Sequence, residues 1–235
     1  MLNDYKKFLT KLKKKNYKFK FFHHKLSDKS NILLRHDVDF DVDFAVKMAQ
    51  FEKRNNVKST FFFLLTSAVY NILNKEIINK IISIKKLGHE IGLHFDPSAY
   101  NKKEVTNGLK IELKIFEKLF KKKVKIISFH KPNKKILKID KKILGINHTY
   151  QKLFSKKMGY FADSRNTFRY GHPLKSIEFN NNLNLQILIH PIWWQKKFDT
   201  HINIKVKELI KKKNQDLKKA LLKDLSKSNL LINND

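Results

Sequence analysis

Apolar residues recur at Leu2, Tyr5, Phe8, Leu9 and Leu12 with lysines between them, a spacing that predicts an amphipathic helix over residues 2–15. Residues 31–37 form a short apolar run that ends in charge, the pattern of a buried strand delivering its last side chains to one rim. Val42, Ala45, Val46 and Ala49 carry a helical period over 41–54, with acids in the first turn where the helix dipole favours them. A Phe-rich run over 57–65 predicts a second strand, and a helix over 75–87 stops at Gly88. Residues 89–95 read as a third strand and 124–129 as a fourth, separated by a helix over 102–121 with Leu109, Leu113, Phe116 and Phe120 on one side. From 134 to 184 the pattern is weaker, with short strands at 143–146 and 160–162. Leu185–Ile189 is a strand closed by His190-Pro191, and 205–225 is a final helix.

Continuously apolar strands alternating with helices predict an α/β fold with a parallel, helix-covered sheet. At 235 residues, without an internal repeat or a Pro/Gly/Ser linker, the chain reads as a single domain, 1–235. The 19 Phe and 41% hydrophobic residues supply a sizeable core. No Cys is present, which excludes disulfide frameworks, Cys-ligated zinc and a Cys nucleophile.

The net charge of +30 attracts anionic partners: nucleic acid, lipid headgroups or phosphorylated substrates. Arginine, the better reader of phosphate and guanine, occurs only at positions 35, 54, 165 and 169, so a nucleic-acid partner is disfavoured. Peripheral contact with an anionic membrane is compatible with the charge. The lysine runs 13–15, 121–123 and 211–213 fall at predicted helix ends, where they complement the dipole. The longest apolar runs, such as 59–69, fall short of the roughly 20 residues of a membrane span. Residues 1–20 lack the apolar core of a secretory signal, so a cytoplasmic location is expected.

Four predicted strands end in acid or imidazole: Arg35-His36-Asp37-Val38-Asp39, His94-Phe95-Asp96-Pro97, Phe129-His130-Lys131-Pro132 and Ile189-His190-Pro191. In a parallel α/β barrel the C-terminal strand ends share one rim, which carries the active site. Asp37 and Asp39, two apart in an extended chain, point the same way, and a divalent cation relieves their repulsion. The same alternation, continuing through Asp41 and Asp43, also fits the acidic first turn of a helix. Imidazole with carboxylate suits zinc and similar ions. His190, held by a buried strand, is placed as a proton donor, and Trp193 and Trp194 beyond it suit either stacking on a sugar face or loop packing.

Leu33-Leu-Arg-His-Asp-Val-Asp39, Ser59-Thr-Phe-Phe-Phe63, Gly88-His-Glu-Ile-Gly-Leu-His94, Ser128-Phe-His-Lys-Pro132 and Leu188-Ile-His-Pro191 together resemble the polysaccharide deacetylases. This is the NodB-like carbohydrate esterase family four, in its divergent Arg-His-Asp-Val-Asp branch. The motifs keep the family's order over about residues 30–195. The resemblance implies a distorted (β/α) barrel of roughly seven parallel strands with extra N- and C-terminal helices. It implies a hydrolase using a divalent metal (zinc, with cobalt or nickel as alternatives) to remove an acetyl group from an N-acylated sugar in cell-surface polysaccharide or lipopolysaccharide biosynthesis.

By the same resemblance Asp37 is the general base and His190 the general acid, with Asp39 and His94 metal ligands. Asp163 and Arg169 correspond to a substrate-side motif, and Lys131, Trp193 and Trp194 join them as expected substrate contacts. The family's second metal histidine, four residues after the first, is replaced by Ser98. His130 is the expected third ligand, with Asp96 the alternative, and His89 is expected to hydrogen-bond within the rim. Deformylation or hydrolysis of another small amide is a second reading. A catalytically inactive barrel that binds glycan or protein is a third.

Overall fold

The computed structural model of the chain describes residues 2–227. The described residues form two compact units, 2–198 and 199–227. The first unit opens with α1 (Asn3–Lys14), β1 (Lys18–Phe19), β2 (Asn31–Val38), α2 (Val42–Arg54), β3 (Thr60–Leu64) and α3 (Lys75–Lys86). It continues with β4 (Glu90–Phe95), α4 (Val105–Phe120), β5 (Ile126–Phe129), α5 (Lys134–Leu137) and β6 (Asn147–His148). It closes with α6 (Lys152–Ser155), β7 (Gly159–Ala162), α7 (Ile177–Asn180) and β8 (Leu185–Ile189). The second unit contains α8 (Ile202–Lys227).

The strands run in the order β6-β5-β4-β3-β2-β8-β7, and every pairing along that path is parallel. These seven strands make the half-barrel with surrounding helices that the sequence anticipates. The two-residue β1 adds an eighth, pairing with Asn31 and Ile32 ahead of β3, which joins β2 only from Arg35. Residues 143–146, expected as a strand, instead close on themselves through an antiparallel Ile143–Ile146 bridge, and the sheet is continued by β6.

Alternation along the strands builds two cores. Phe61, Phe63, Ile91, Leu93, Ile127 and Phe129 pack outward with Ala45 and Ala49 of α2, Ile81 and Ile84 of α3 and Leu109, Leu113, Phe116 and Phe120 of α4. Leu33, Phe62, Ile126, Phe154 and Met158 form a smaller inner cluster. Gly92 permits that cluster, because a Cβ there would come within 2.8 Å of the Phe62 ring and 3.0 Å of the Ile126 carbonyl. Beside Leu33 the inner lining turns polar. Gln186 of β8 donates to the carbonyls of Thr149 (3.0 Å) and Phe154 (2.6 Å), tying β8 to the connection between β6 and β7.

The elements start where local chemistry dictates. Asp41 caps α2 by accepting from the Phe44 N–H, and Asn74 caps α3 through the Glu76 N–H. Gly88 follows α3 at φ 92°, a left-handed conformation that glycine takes without a Cβ clash.

Glu112 of α4 is buried and accepts from the Tyr100 hydroxyl at 2.8 Å. Burial pushes its carboxyl up to about 7, with Asp96 adding to the rise. The folded state therefore holds a proton that the unfolded state releases, so this group's contribution is present at acid pH and is lost as pH rises toward 7. Glu112→Gln is expected to flatten that part of the stability–pH curve, read from thermal melts at about pH 5 and about pH 8. An unchanged slope in the variant would contradict the assignment.

Candidate active site

The C-terminal end of β2 supplies two carboxylates to the inner face, as alternation requires. Asp37 is anchored from three sides: Arg35 Nη2 lies 3.3 Å and Ser128 Oγ 3.2 Å from its Oδ2, and His94 Nε2 lies 3.7 Å away. Arg35 is wholly buried, donates to the Tyr150 hydroxyl at 3.0 Å and stacks 5.0 Å from that ring. Burial alone would lower its pKa, but Asp37 raises it further, so the guanidinium remains charged. Asp41 belongs to the cap of α2, so the acid run divides into strand-end residues and a helix start.

Asp39, just past β2, meets His94 of β4 and His130 beyond β5. The His130 N–H donates to the Phe95 carbonyl at 2.8 Å, which continues the β4–β5 pairing one residue further and sets the two imidazoles side by side. Their ring centroids are 5.2 Å apart and nearly perpendicular. Asp39 Oδ1 lies 3.3 Å from His94 Nε2 and 3.5 Å from His130 Nδ1. One ligand atom from each of the three residues fits within 4.8 Å of the others.

Two observations show that this set suits a cation. Asp39 Oδ1 is buried and accepts no hydrogen bond, although two ring nitrogens approach it. Ligands about 2.0–2.1 Å from a tetrahedral zinc stand about 3.3–3.4 Å apart, which matches the observed 3.3 and 3.5 Å. One carboxylate and two imidazoles are also a donor set that zinc, cobalt and nickel accept. Burial would raise the Asp39 carboxyl, but the imidazoles of His130, His94 and His190 hold it well below the usual carboxylate range. Burial would likewise lower His94, and the carboxylates of Asp37 and Asp39 reverse that.

His190, immediately after β8, faces the other oxygen of Asp39, with Nε2 3.8 Å from Oδ2. Its Nδ1 is 2.7 Å from Asp163 Oδ1, and its backbone N–H donates to the same carboxylate at 2.9 Å. Burial works against a charged imidazole here, but the hydrogen bond and charge of Asp163, aided by Asp39 and Asp37, push His190 up to about 9.

Of the expected substrate contacts, Asp163, Trp193 and Trp194 are buried, and Lys131 and Arg169 are exposed. Asp163 is fully buried and, besides His190, accepts from Trp194 Nε1 at 2.8 Å, so it orients the imidazole and does not face a ligand. Trp194 packs its ring against Tyr5, Phe8 and Phe198, which draws that indole inward, and Trp193 is buried too. Lys131 is exposed beside His130 at φ 43°, and Arg169 is exposed in a turn. Asp96 caps the short turn after β4, accepting from the N–H (2.8 Å) and hydroxyl (2.6 Å) of Ser98. His89, expected at the rim, lies on the outer face of the sheet, where Ser59 Oγ is 2.9 Å and the Ala49 carbonyl 2.9 Å from its ring nitrogens. Arg35 and Ser128 fall within the motifs of the resemblance but carry no expected role, and Tyr150 falls outside them. Period-2 alternation already put Arg35 on the face of Asp37 and Asp39.

No family profile and no curated protein matches the chain. Several solved structures are similar to it. A family 4 carbohydrate esterase from Bacillus anthracis is 18% identical with a TM-score of 0.48, over 94% of this chain and 92% of that one. The peptidoglycan deacetylase PdaC from Bacillus subtilis is 15% identical with a TM-score of 0.46, over 84% and 96%. BA3943, a CE4 family pseudoenzyme from Bacillus anthracis, is 14% identical with a TM-score of 0.43, over 82% and 63%.

Proposed function

We propose that the protein is a divalent-metal-dependent hydrolase that removes an acyl group, acetyl foremost, from an N-acylated sugar. The observation that carries this reading is the convergence of Asp39, His94 and His130 beside two further acid–base groups, Asp37 and His190. The motifs that carry the sequence resemblance supply these same residues. A divalent cation held by Asp39, His94 and His130 supplies Lewis acidity, polarising a carbonyl oxygen and lowering the pKa of a water toward neutrality.

The chain's own groups provide the proton transfers. Arg35 and Ser128 fix Oδ2 of Asp37, and Oδ1 accepts no hydrogen bond, so it is the oxygen that takes a proton from the attacking water. Asp163 holds Nδ1 of His190, which leaves Nε2 to protonate the departing amine. That transfer cannot be omitted, because an amine anion is a very poor leaving group. The hydrogen bond and charge of Asp163 favour the protonated imidazole that this role requires.

The proposed substrate is a nucleotide-linked or lipid-pyrophosphate-linked amino sugar of cytoplasmic surface-glycan assembly. The chain's net charge of +30 favours such anionic conjugates, and the exposure of Lys131 next to His130 supports the same choice. The test is a panel of N-acetylated and N-formylated amino-sugar conjugates offered to protein loaded with zinc, cobalt or nickel. Chelator-sensitive release of acetate is the expected result. Formate in its place would identify a deformylase. Bound metal with no acid released from any amide would overturn the hydrolase reading.

A further inference from the structure

The second unit, taken alone, has a face that the proposed reaction does not use. Val206, Ile210, Leu217 and Leu221 of α8 succeed one another at spacings of four, seven and four, so on a helix they form one stripe. All four are exposed, Leu217 by 59% and Leu221 by 54%. Lys207, Lys211 and Lys218, each one position further on, run alongside and are exposed too. Across Ile202–Lys227 nine lysines stand against three acids, Glu208, Asp216 and Asp224.

We propose that this face of α8 docks on an anionic lipid bilayer. An apolar stripe flanked by lysine is what an interfacial helix needs: the leucines enter the acyl boundary while the lysines reach outward to acidic headgroups. Charge complementarity selects this occupant over two others. A second copy would bring two strongly basic helices together along lysine-flanked seams, where coiled coils place opposite charges. A nucleic acid would leave the leucines without a role, and the helix contains no arginine. No helix among the described residues is long and apolar enough to cross a membrane, so α8 lies on the surface. Nothing in this inference depends on the active site.

The test is co-sedimentation of the full chain with phosphatidylcholine vesicles, alone or mixed with phosphatidylglycerol. Binding to the mixed vesicles only, weakened by added salt, is expected. Leu217→Ser/Leu221→Ser should partition at least about a hundredfold more weakly, since two buried leucines are lost. Lys207→Glu/Lys211→Glu/Lys218→Glu should abolish the preference for phosphatidylglycerol. Circular dichroism of each variant checks that the helix persists. Absence of sedimentation with mixed vesicles would overturn the proposal. So would equal binding by the leucine variant, or leucine-dependent dimerisation without vesicle binding.

Discussion

Asp39→Asn is expected to lower affinity for zinc, cobalt or nickel by more than about a hundredfold, beyond the 10–100-fold that loss of an outer partner costs. Asp37→Asn is expected to leave metal content unchanged while reducing turnover by about 10²–10⁴-fold, the range of a general base. The two carboxylates are only two residues apart, so the contrast tests geometry directly. Asp39 Oδ1 is the oxygen shared between His94 and His130, whereas Asp37 is turned toward Arg35 and Ser128. Elemental analysis after dialysis and calorimetric titration read the first effect, and acid release reads the second. Equal metal content in Asp39→Asn and the parent would remove the cluster from consideration. His130→Ala belongs in the same series, beside Asp96→Ala. Metal loss in the first alone assigns the third ligand, because Asp96 is engaged with Ser98.

The parts of this site that the sequence revealed are those that lie at strand ends. Asp37, Asp39, His94, His130 and His190 each interrupt or follow a long apolar run, and a parallel sheet gathers such ends by topology alone. Arg35 was harder to see because it lies within the apolar run and resembles a charged interruption of β2. Its partner Tyr150 comes from a connection with little apolar periodicity. Sequence does not distinguish a buried carboxylate that orients a histidine, as Asp163 is, from one facing a cleft, and for Trp193 and Trp194 it leaves sugar stacking and loop packing both open. Among the elements, β2, β3, β4 and β8 carry strong runs and were legible. The two-residue strands β1 and β6 are too short for any period and exist only through pairing with β2 and β5.

A second polar cluster, on the outer face of the sheet, was invisible for the same reason. Glu52 of α2 is fully buried, with its Oε1 taking the Tyr5 hydroxyl and lying 2.7 Å from His36 Nε2. Its Oε2 takes the Ser59 hydroxyl at 2.5 Å, and His89 Nδ1 is 3.6 Å away. One carboxylate thus ties α1, β2, the start of β3 and the start of β4 to α2, behind the strand that carries Asp37 and Asp39. Glu52→Ala strands four polar partners in a dry interior. It is expected to cost about 3–5 kcal/mol, or about 6–20 °C in melting temperature. Burial would raise the Glu52 carboxyl, but His36 and His89 hold it below its ordinary value. Burial also lowers His89. Both folded pKa values are depressed, so both contributions exist at neutral pH. The His89 part fades as pH falls below about 6.5, and the Glu52 part follows below about 4.5. Glu52→Gln keeps the shape without the charge, so its melting temperature should fall less than that of the alanine variant and vary less with acid. Thermal melts of the three proteins across that range read both effects, and an alanine variant melting within about 2 °C of the parent would show that the cluster holds nothing together.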